Sequence, residues 1–321
     1  MDSLFKECYK LTSLNLRNFI TDEVTAMGSM FSSCSSLTNL DLSSFKTGKV
    51  TSMLGMFFNC TSLTSLDISS FNVDNVFFME NMFQSCHSLK SLNLANFIGK
   101  NINSINNFFK DCYNITFIDL SNFEANPLYI NNAFQNCYSL EVLNIQKLMV
   151  DNSIYSYSIF ENCYSLKYLD LKGFTMESSV NLNNLFKNCY SITSINLSNF
   201  KTSNLVTMVS MFENCQKLVS LDLSNFITNK VSDMHNLFNN CSSLEYLKLD
   251  FNTEKVQKMS LMFGSCTKLS SLDITTFNTE KCVDFVNMFE NDYGLDLYIN
   301  SNICKNLKES LPTFINIHDL N

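Results

Sequence analysis

The chain has 321 residues, a formal net charge of −8 at pH 7, and 13 cysteines beside only 3 histidines. An acidic chain without a run of basic residues argues against nucleic acid and against an anionic membrane surface as partners. No apolar stretch reaches the ~18 residues of a membrane-spanning helix, and no secretory apolar segment precedes the first repeat, so no membrane span, signal peptide or anchor is visible.

A cysteine recurs along the chain at intervals of 26 residues, with two intervals of 25. A phenylalanine stands three residues before each of these cysteines, and Phe289 keeps that place before Asp292, which occupies the twelfth slot. Self-similarity at a fixed period is typical of solenoids, in which each repeat packs only on its neighbours. The in-register cysteines, which number coils 1 to 11, are Cys8, Cys34, Cys60, Cys86, Cys112, Cys137, Cys163, Cys189, Cys215, Cys241 and Cys266.

Residues 53–76 illustrate one repeat. Leu63, Leu66 and Ile68 form an L-x-x-L-x-L unit, the strand signature of leucine-rich repeats. Upstream, apolar residues recur every three or four positions, which predicts a short helical or 3₁₀ segment with one apolar face. In this coil they are Val50, Met53, Met56, Phe57 and Cys60. We therefore predict an α/β fold, a leucine-rich-repeat solenoid of about twelve coils over residues 1–299, with one short parallel strand and one short helical segment per coil.

The repeat pattern MFxxCxSLTxLDLSSFxTxxV resembles the 26-residue repeat of BspA-type leucine-rich repeat proteins, which occurs in bacterial surface proteins and lipoproteins and in some protists. The resemblance covers roughly residues 1–299. It implies a surface-exposed or extracellular solenoid that binds macromolecules or mediates adhesion. It supplies no catalytic residue and no cofactor.

The first coil starts at a repeat phase, because Met1 aligns with Met27 and Met53. No polar cap stands in front of its apolar residues Leu4 and Phe5, whereas terminal coils usually need a cap for solubility. We therefore expect this end either to continue in a longer protein or to associate with another surface.

The pattern loosens between Glu124 and Ser179, where Pro127 appears, Tyr155 replaces a usual residue and one residue is lost before Phe134. Because the strand motif persists, this region is predicted to be a softer middle of the solenoid and not a linker. The regular form returns from Phe200 onward.

Residues 300–321 are predicted to form a C-terminal helical cap over the last coil. Ser301 or Asn302 can cap the start of a helix, and Pro312 would end it. The apolar residues on its one face are Ile303, Leu307 and Leu311.

The eleven in-register cysteines are predicted to be buried free thiols, because all of them occupy one apolar slot and disulfides need facing pairs. Cys282 is expected in the core as well, and Cys304 lies outside the pattern. Without a C-x-x-C pair or a histidine cluster, no metal site and no cofactor is predicted.

Asp and Asn alternate at the outward strand position from Asp67 to Asp222. Stacked carboxylates would repel, whereas an Asn between two Asp residues can donate to its neighbour, so the alternation predicts a column that satisfies itself. A calcium-binding column is the alternative, although a flat strand face offers few converging oxygens.

Two columns become aromatic or apolar in nearly the same coils, one in coils 5 to 8 and the other in coils 5 to 7. The residue after the cysteine is polar or small in most coils but Tyr in these four, and an outward strand position changes from Ser to larger apolar or aromatic residues. Adjacent rings can simply stack on one another, but contiguous exposed aromatics are also typical of binding hot spots. The candidate ligand-binding residues are Tyr113, Phe117, Tyr138, Val142, Tyr164, Tyr168 and Tyr190.

No histidine recurs near the abundant Ser and Thr residues, so no enzyme activity is predicted. The sequence favours a binding or adhesion solenoid with a protein or glycan partner. An intracellular protein-interaction scaffold is the alternative, favoured by the missing signal peptide and the unpaired cysteines.

Overall fold

The structure is a computed structural model, and it describes residues 1–94, 97–124, 129–146, 148, 150, 156–303 and 305–320. Pro127, Tyr155 and Cys304 lie outside the described residues. The described chain divides into two compact units. The first comprises Met1–Ser153 and Asn162–Phe174, and the second comprises Ile154–Glu161 and Thr175–Asn321.

Short strands of neighbouring coils run parallel to one another, as predicted, and isolated parallel bridges such as Leu66 with Leu92 join coils without a full strand. In the first unit, β1 (Phe117–Asp119) pairs with β2 (Val142–Asn144). In the second unit, β3 (Ser220–Asp222) pairs with β4 (Tyr246–Lys248), and β5 (Ser271–Asp273) pairs with β6 (Asp296–Ile299). The central Leu or Ile of each three-residue strand is buried while its neighbours point outward. The leucine-rich-repeat solenoid is therefore confirmed.

The segment before each cysteine is not helical, and the prediction of one helical segment per coil is wrong. It consists of turns that contain two residues with left-handed backbone, such as Gly55 (φ 56°) and Asn59 (φ 58°). Successive amides therefore alternate between an acceptor in their own coil and an acceptor in the next coil. The Phe58 amide donates to the Gly55 carbonyl of its own coil (3.0 Å), whereas the Phe57 amide donates to the Met82 carbonyl of the next coil (2.9 Å). The apolar spacing was misleading because successive tight turns also bring every third or fourth residue to one side.

In coils 1–5 and 8–11 these turns bind one coil to the next through three amides. Gly55, Phe57 and Asn59 of coil 3 donate to carbonyls of coil 4 at 2.8–2.9 Å. The same three bonds link coil 11 to coil 12, from Leu261, Phe263 and Ser265. Asn suits the second left-handed position, because it tolerates positive φ better than most residues. Its side chain adds a further bond between coils, as from Asn240 Nδ2 to Asn214 Oδ1 (2.7 Å).

The invariant phenylalanines stack through the core of each unit, as expected of one repeated buried slot. Centroids are 5.6 Å apart for each neighbouring pair of Phe31, Phe57 and Phe83 in the first unit. The same 5.6 Å spacing joins Phe212 to Phe238 in the second. Stacked pairs at this spacing contribute about 0.5–1.5 kcal/mol beyond burial.

Ten of the eleven in-register cysteines are buried free thiols. Each donates its S–H to the carbonyl of the phenylalanine in the preceding coil, as from Cys60 to Phe31 (3.1 Å). Cys8 is exposed, so the prediction is wrong for this residue, because the thiols are buried against the preceding coil and Cys8 lies in coil 1. Cys282 is a buried free thiol, as predicted.

The C-terminal segment contains helix α1 (Lys305–Ser310) and strand β7 (Asn316–Asp319). The helix buries Leu307, and β7 pairs in parallel with β6, where the strand of a further coil would lie. A helix is thus present where the sequence predicted one, and strand β7 follows it. The boundary between a solenoid over 1–299 and a cap over 300–321 stays a prediction.

Candidate functional site: two aromatic columns

Four rings stack face to face in the first unit at the position after the cysteine. The centroid distances are 4.4 Å from His87 to Tyr113, 4.8 Å from Tyr113 to Tyr138 and 4.7 Å from Tyr138 to Tyr164. These distances match the ~4.8 Å spacing of parallel strands, so rings at one position of successive coils meet directly. We call these four residues the ring column.

Sequence reasoning missed His87, because the residue after the cysteine is polar or small in most coils and only the tyrosines were taken as candidates. Its ring is nearly parallel to that of Tyr113, with an interplanar angle of 12°. The signal was its place directly after Cys86, one coil before the tyrosines.

The tyrosines of the ring column are half-buried, not freely exposed as we expected. Both faces of Tyr113 and Tyr138 lie against neighbouring rings, so only their edges and hydroxyls can reach a ligand. Burial raises the pKa of both phenols, and the nearby Asp111 carboxylate adds to the effect. Both hydroxyls therefore stay protonated near neutral pH and can donate hydrogen bonds.

The second column lies on the outward strand face and is solvent-exposed. Phe117 and Val142 are directly paired in the register of β1 and β2 and are 41% and 46% exposed, while Tyr168 in the next coil is 65% exposed. We call these three residues the strand column. Along the chain it follows the ring column by four residues in each coil.

A shallow cleft of about 200 Å³ opens beside the strand column. Val142 and Tyr168 line it together with charged and amide side chains. Glu141 and Lys167 form an exposed ion pair at its rim, with 2.9 Å between Oε2 and Nζ. An exposed ring beside carboxylate, amide and ammonium groups can bind an apolar face and several hydroxyl or amide groups at once.

Tyr190 belongs to the second unit, where it is half-buried and follows Cys189 as predicted. Six of the seven candidate residues thus lie in the first unit. Their role as a ligand site stays a prediction.

The Asp/Asn column has a different explanation from the one we expected. Asp67 Oδ1 accepts from the Ser69 amide (2.9 Å), and Asn196 Oδ1 accepts from the Ser198 amide (3.1 Å), so both residue types stabilise the turn out of their own strand. Hydrogen bonds from the Ser69 side chain and amide lower the pKa of Asp67. Asp and Asn are equivalent in this local role, so it does not need their alternation.

Among the described residues, no three His, Cys, Asp or Glu side chains come close enough together to hold a metal ion. In the same part of the chain, no helix has both the length and the apolar character that crossing a bilayer requires.

The family model described as "Mycoplasma protein of unknown function, DUF285" matches residues 1–124, 128–226 and 218–321. The chain belongs to the DUF285 family. The match agrees with the BspA-type repeat predicted from the sequence and spans both units of the DUF285 chain. A comparison with the curated proteins gives no match.

Several solved structures are similar to this DUF285 chain. A leucine-rich cell surface protein from Faecalibacterium prausnitzii A2-165 is 18% identical, with 100% of this chain and 82% of that chain covered and a TM-score of 0.45. A leucine-rich repeat protein from Eubacterium ventriosum is 16% identical, with 90% and 82% covered and a TM-score of 0.34. The functional domain of InlJ from Listeria monocytogenes, which includes a cysteine ladder, is 16% identical, with 91% and 69% covered and a TM-score of 0.27.

Proposed function

We propose that this protein is a non-enzymatic binding protein of the cell surface that mediates adhesion by recognising a protein or glycan. The observation that carries the proposal is the pair of adjacent columns in the first unit. The ring column supplies a row of phenol hydroxyls, and the strand column supplies exposed apolar and aromatic surface.

The two columns have different physical roles in this proposal. The stacked rings are held by their neighbours, so their hydroxyls lose little freedom when a ligand binds. Tyr168 has no such constraint on most of its surface and can stack on a sugar ring or a peptide side chain. The cleft beside it adds hydrogen-bonding groups that fix orientation.

The test is binding to a glycan array and to a panel of matrix proteins. Val142→Ser with Tyr168→Ser removes exposed surface and should weaken binding at least tenfold, while the free energy of unfolding changes by less than about 1 kcal/mol. Tyr138→Phe with Tyr164→Phe keeps the stack and removes two hydroxyls, so any loss of affinity measures their hydrogen bonds. Tyr246→Ser, an exposed strand tyrosine in the second unit, is the matched control. Wild-type affinity in the Val142/Tyr168 double variant would overturn the proposal.

An intracellular protein-interaction scaffold is the second candidate, favoured by the unpaired thiols of the twelve described cysteines. Protease treatment of intact cells separates the two locations. A surface protein is digested, whereas an intracellular scaffold is degraded only after lysis.

A further inference from the structure

The turn segment of coil 12 ends the series of coil-to-coil hydrogen bonds. In coil 11, the amides of Leu261, Phe263 and Ser265 donate to the carbonyls of coil 12 at 2.6–3.0 Å. The equivalent amides of coil 12 belong to Asn287, Phe289 and Asn291, and none of the three has an acceptor among the described residues. In coils 1–5 and 8–11 all three equivalent amides donate to the next coil, so within the described chain the amides of coil 12 are the donor half of a joint without its acceptor half.

The backbone of coil 12 aims these amides as the preceding coils do. Asn287 and Asn291 have φ values of 56° and 65°, close to the left-handed values at the same two positions of coils 3 to 11. The amides therefore point away from coil 11, toward the place where another coil would lie.

The C-terminal segment covers the strand side of this end but not the turn side. Strand β7 pairs with β6, and the amide of Gly294 donates to the carbonyl of Phe314 (3.1 Å). Beside the three amides remains a groove of about 470 Å³. Its walls include Val286, which is 66% exposed, on one side and Leu311, Pro312 and Phe314 on the other.

We propose that this groove binds a peptide segment of a partner protein that adopts the tight turns of a coil. Alternate carbonyls of the peptide accept from the amides of Asn287, Phe289 and Asn291, and one apolar side chain inserts between Val286 and the wall formed by Leu311 and Phe314. The site is independent of the aromatic columns of the first unit.

The coil-to-coil interface defines the chemistry of this occupant. Wherever the same joint is complete, the acceptors are main-chain carbonyls two residues apart, such as Val286, Met288 and Glu290 against coil 11. A peptide that adopts the same tight turns presents alternate carbonyls with that two-residue repeat, and main-chain hydrogen bonds are how peptides add to an open backbone edge. Unpaired backbone amides at such an edge are a template for pairing.

The probe is a synthetic peptide of residues 207–216 with Cys215→Ser and with acetylated and amidated ends. In the structure, its Val209, Met211 and Glu213 carbonyls accept from the three amides of coil 8 at 2.8–2.9 Å. Hydrogen exchange of Asn287, Phe289 and Asn291 in the full chain should slow at least tenfold at saturating peptide. The all-D enantiomer has the same composition but the wrong hand, so it should give no protection.

Two groove variants and one control test the location. Ser310→Trp fills the groove from the cap, and Val286→Asp places a charge on the opposite wall, so each should weaken peptide binding at least tenfold. Glu309→Trp changes the neighbouring exposed residue, which does not line the groove, and should bind as wild type. Using both walls keeps the test informative if one variant folds poorly.

Three results would overturn the proposal. The first is equal protection by the L and D peptides, and the second is wild-type affinity in both groove variants. The third is slow exchange of the three amides in the free chain that depends on protein concentration, which would assign the groove to a second copy of this chain.

Discussion

Asp292 should make the stability of the second unit depend on pH, because it puts a carboxyl group in the cysteine slot of coil 12. Its side chain is 2% exposed, and neither carboxylate oxygen has a hydrogen-bond partner among the described residues. Burial raises its pKa to about 7, although the nearby Cys266 amide acts in the opposite direction. That amide already donates to the Phe263 carbonyl (3.1 Å).

The sign and size of the effect follow from proton linkage. The ordinary pKa of this group is 3.8, so between pH 4 and 7 the folded state binds more protons than the unfolded state. Stability from this residue is full below pH 4 and is lost as pH rises through 7. A difference of about 3 pKa units at 1.36 kcal/mol per unit sets the loss at about 4 kcal/mol or less.

The assay is hydrogen exchange of residues 285–299 across urea unfolding series at pH 5, 6, 7 and 8. Asp292→Asn cannot ionise and should remove most of this pH dependence. Asp292→Cys should do the same and should also stabilise the coil, because its thiol can donate to the Phe263 carbonyl as the other thiols donate to theirs. Glu290→Gln, a neighbouring exposed carboxylate, is the control. Parallel pH curves for wild type and Asp292→Asn would refute the reasoning.

Two further substitutions test the packing between coils by urea unfolding. Phe212→Ala should reduce the free energy of unfolding by ~3–5 kcal/mol, because the ring is fully buried and stacks at 5.6 Å on Phe238, and a loss below 1 kcal/mol would show that the slot is not core. Thr47→Val should cost ~1–3 kcal/mol, because the buried hydroxyl donates to the Asn72 carbonyl (2.9 Å) and accepts from the Asn72 amide (2.7 Å). Thr64→Val is the control, because the exposed Thr64 hydroxyl makes only a 3.3 Å hydrogen bond, to the Thr38 carbonyl. Equal losses of stability in the two threonine variants would contradict this explanation.

The strand and the core slots were predictable because their side chains carry a direct signal. Leu66 and Ile68 alternate with outward residues, and an invariant Phe such as Phe57 leaves no choice but one buried slot. The turn segment was mispredicted because apolar spacing does not report the sign of φ. The better signal was Asn before the cysteine in most coils, since Asn is favoured in left-handed backbone.

Whether Cys8 and Asp292 are exposed or buried could not be predicted from the repeat slot that they share. A repeat assigns the same side-chain direction to each, but the neighbouring coil determines whether the slot is closed. Cys8 lies in coil 1 and is exposed, whereas Asp292 has coil 11 behind it and is buried despite its charge. Position within the series therefore matters as much as position within the repeat.

The same reasoning separates the two aromatic columns. Any ring repeated at one slot meets its neighbour at the coil spacing, so the stacking of Tyr113, Tyr138 and Tyr164 is a geometric consequence of repetition and needs no ligand. Tyr168 is different, because the preceding residue of the strand column is Val142, which has no ring to stack on, and Tyr168 remains 65% exposed. An aromatic side chain that its neighbours leave uncovered gains most from an external partner, so the strand column should dominate the affinity and the ring column should set orientation.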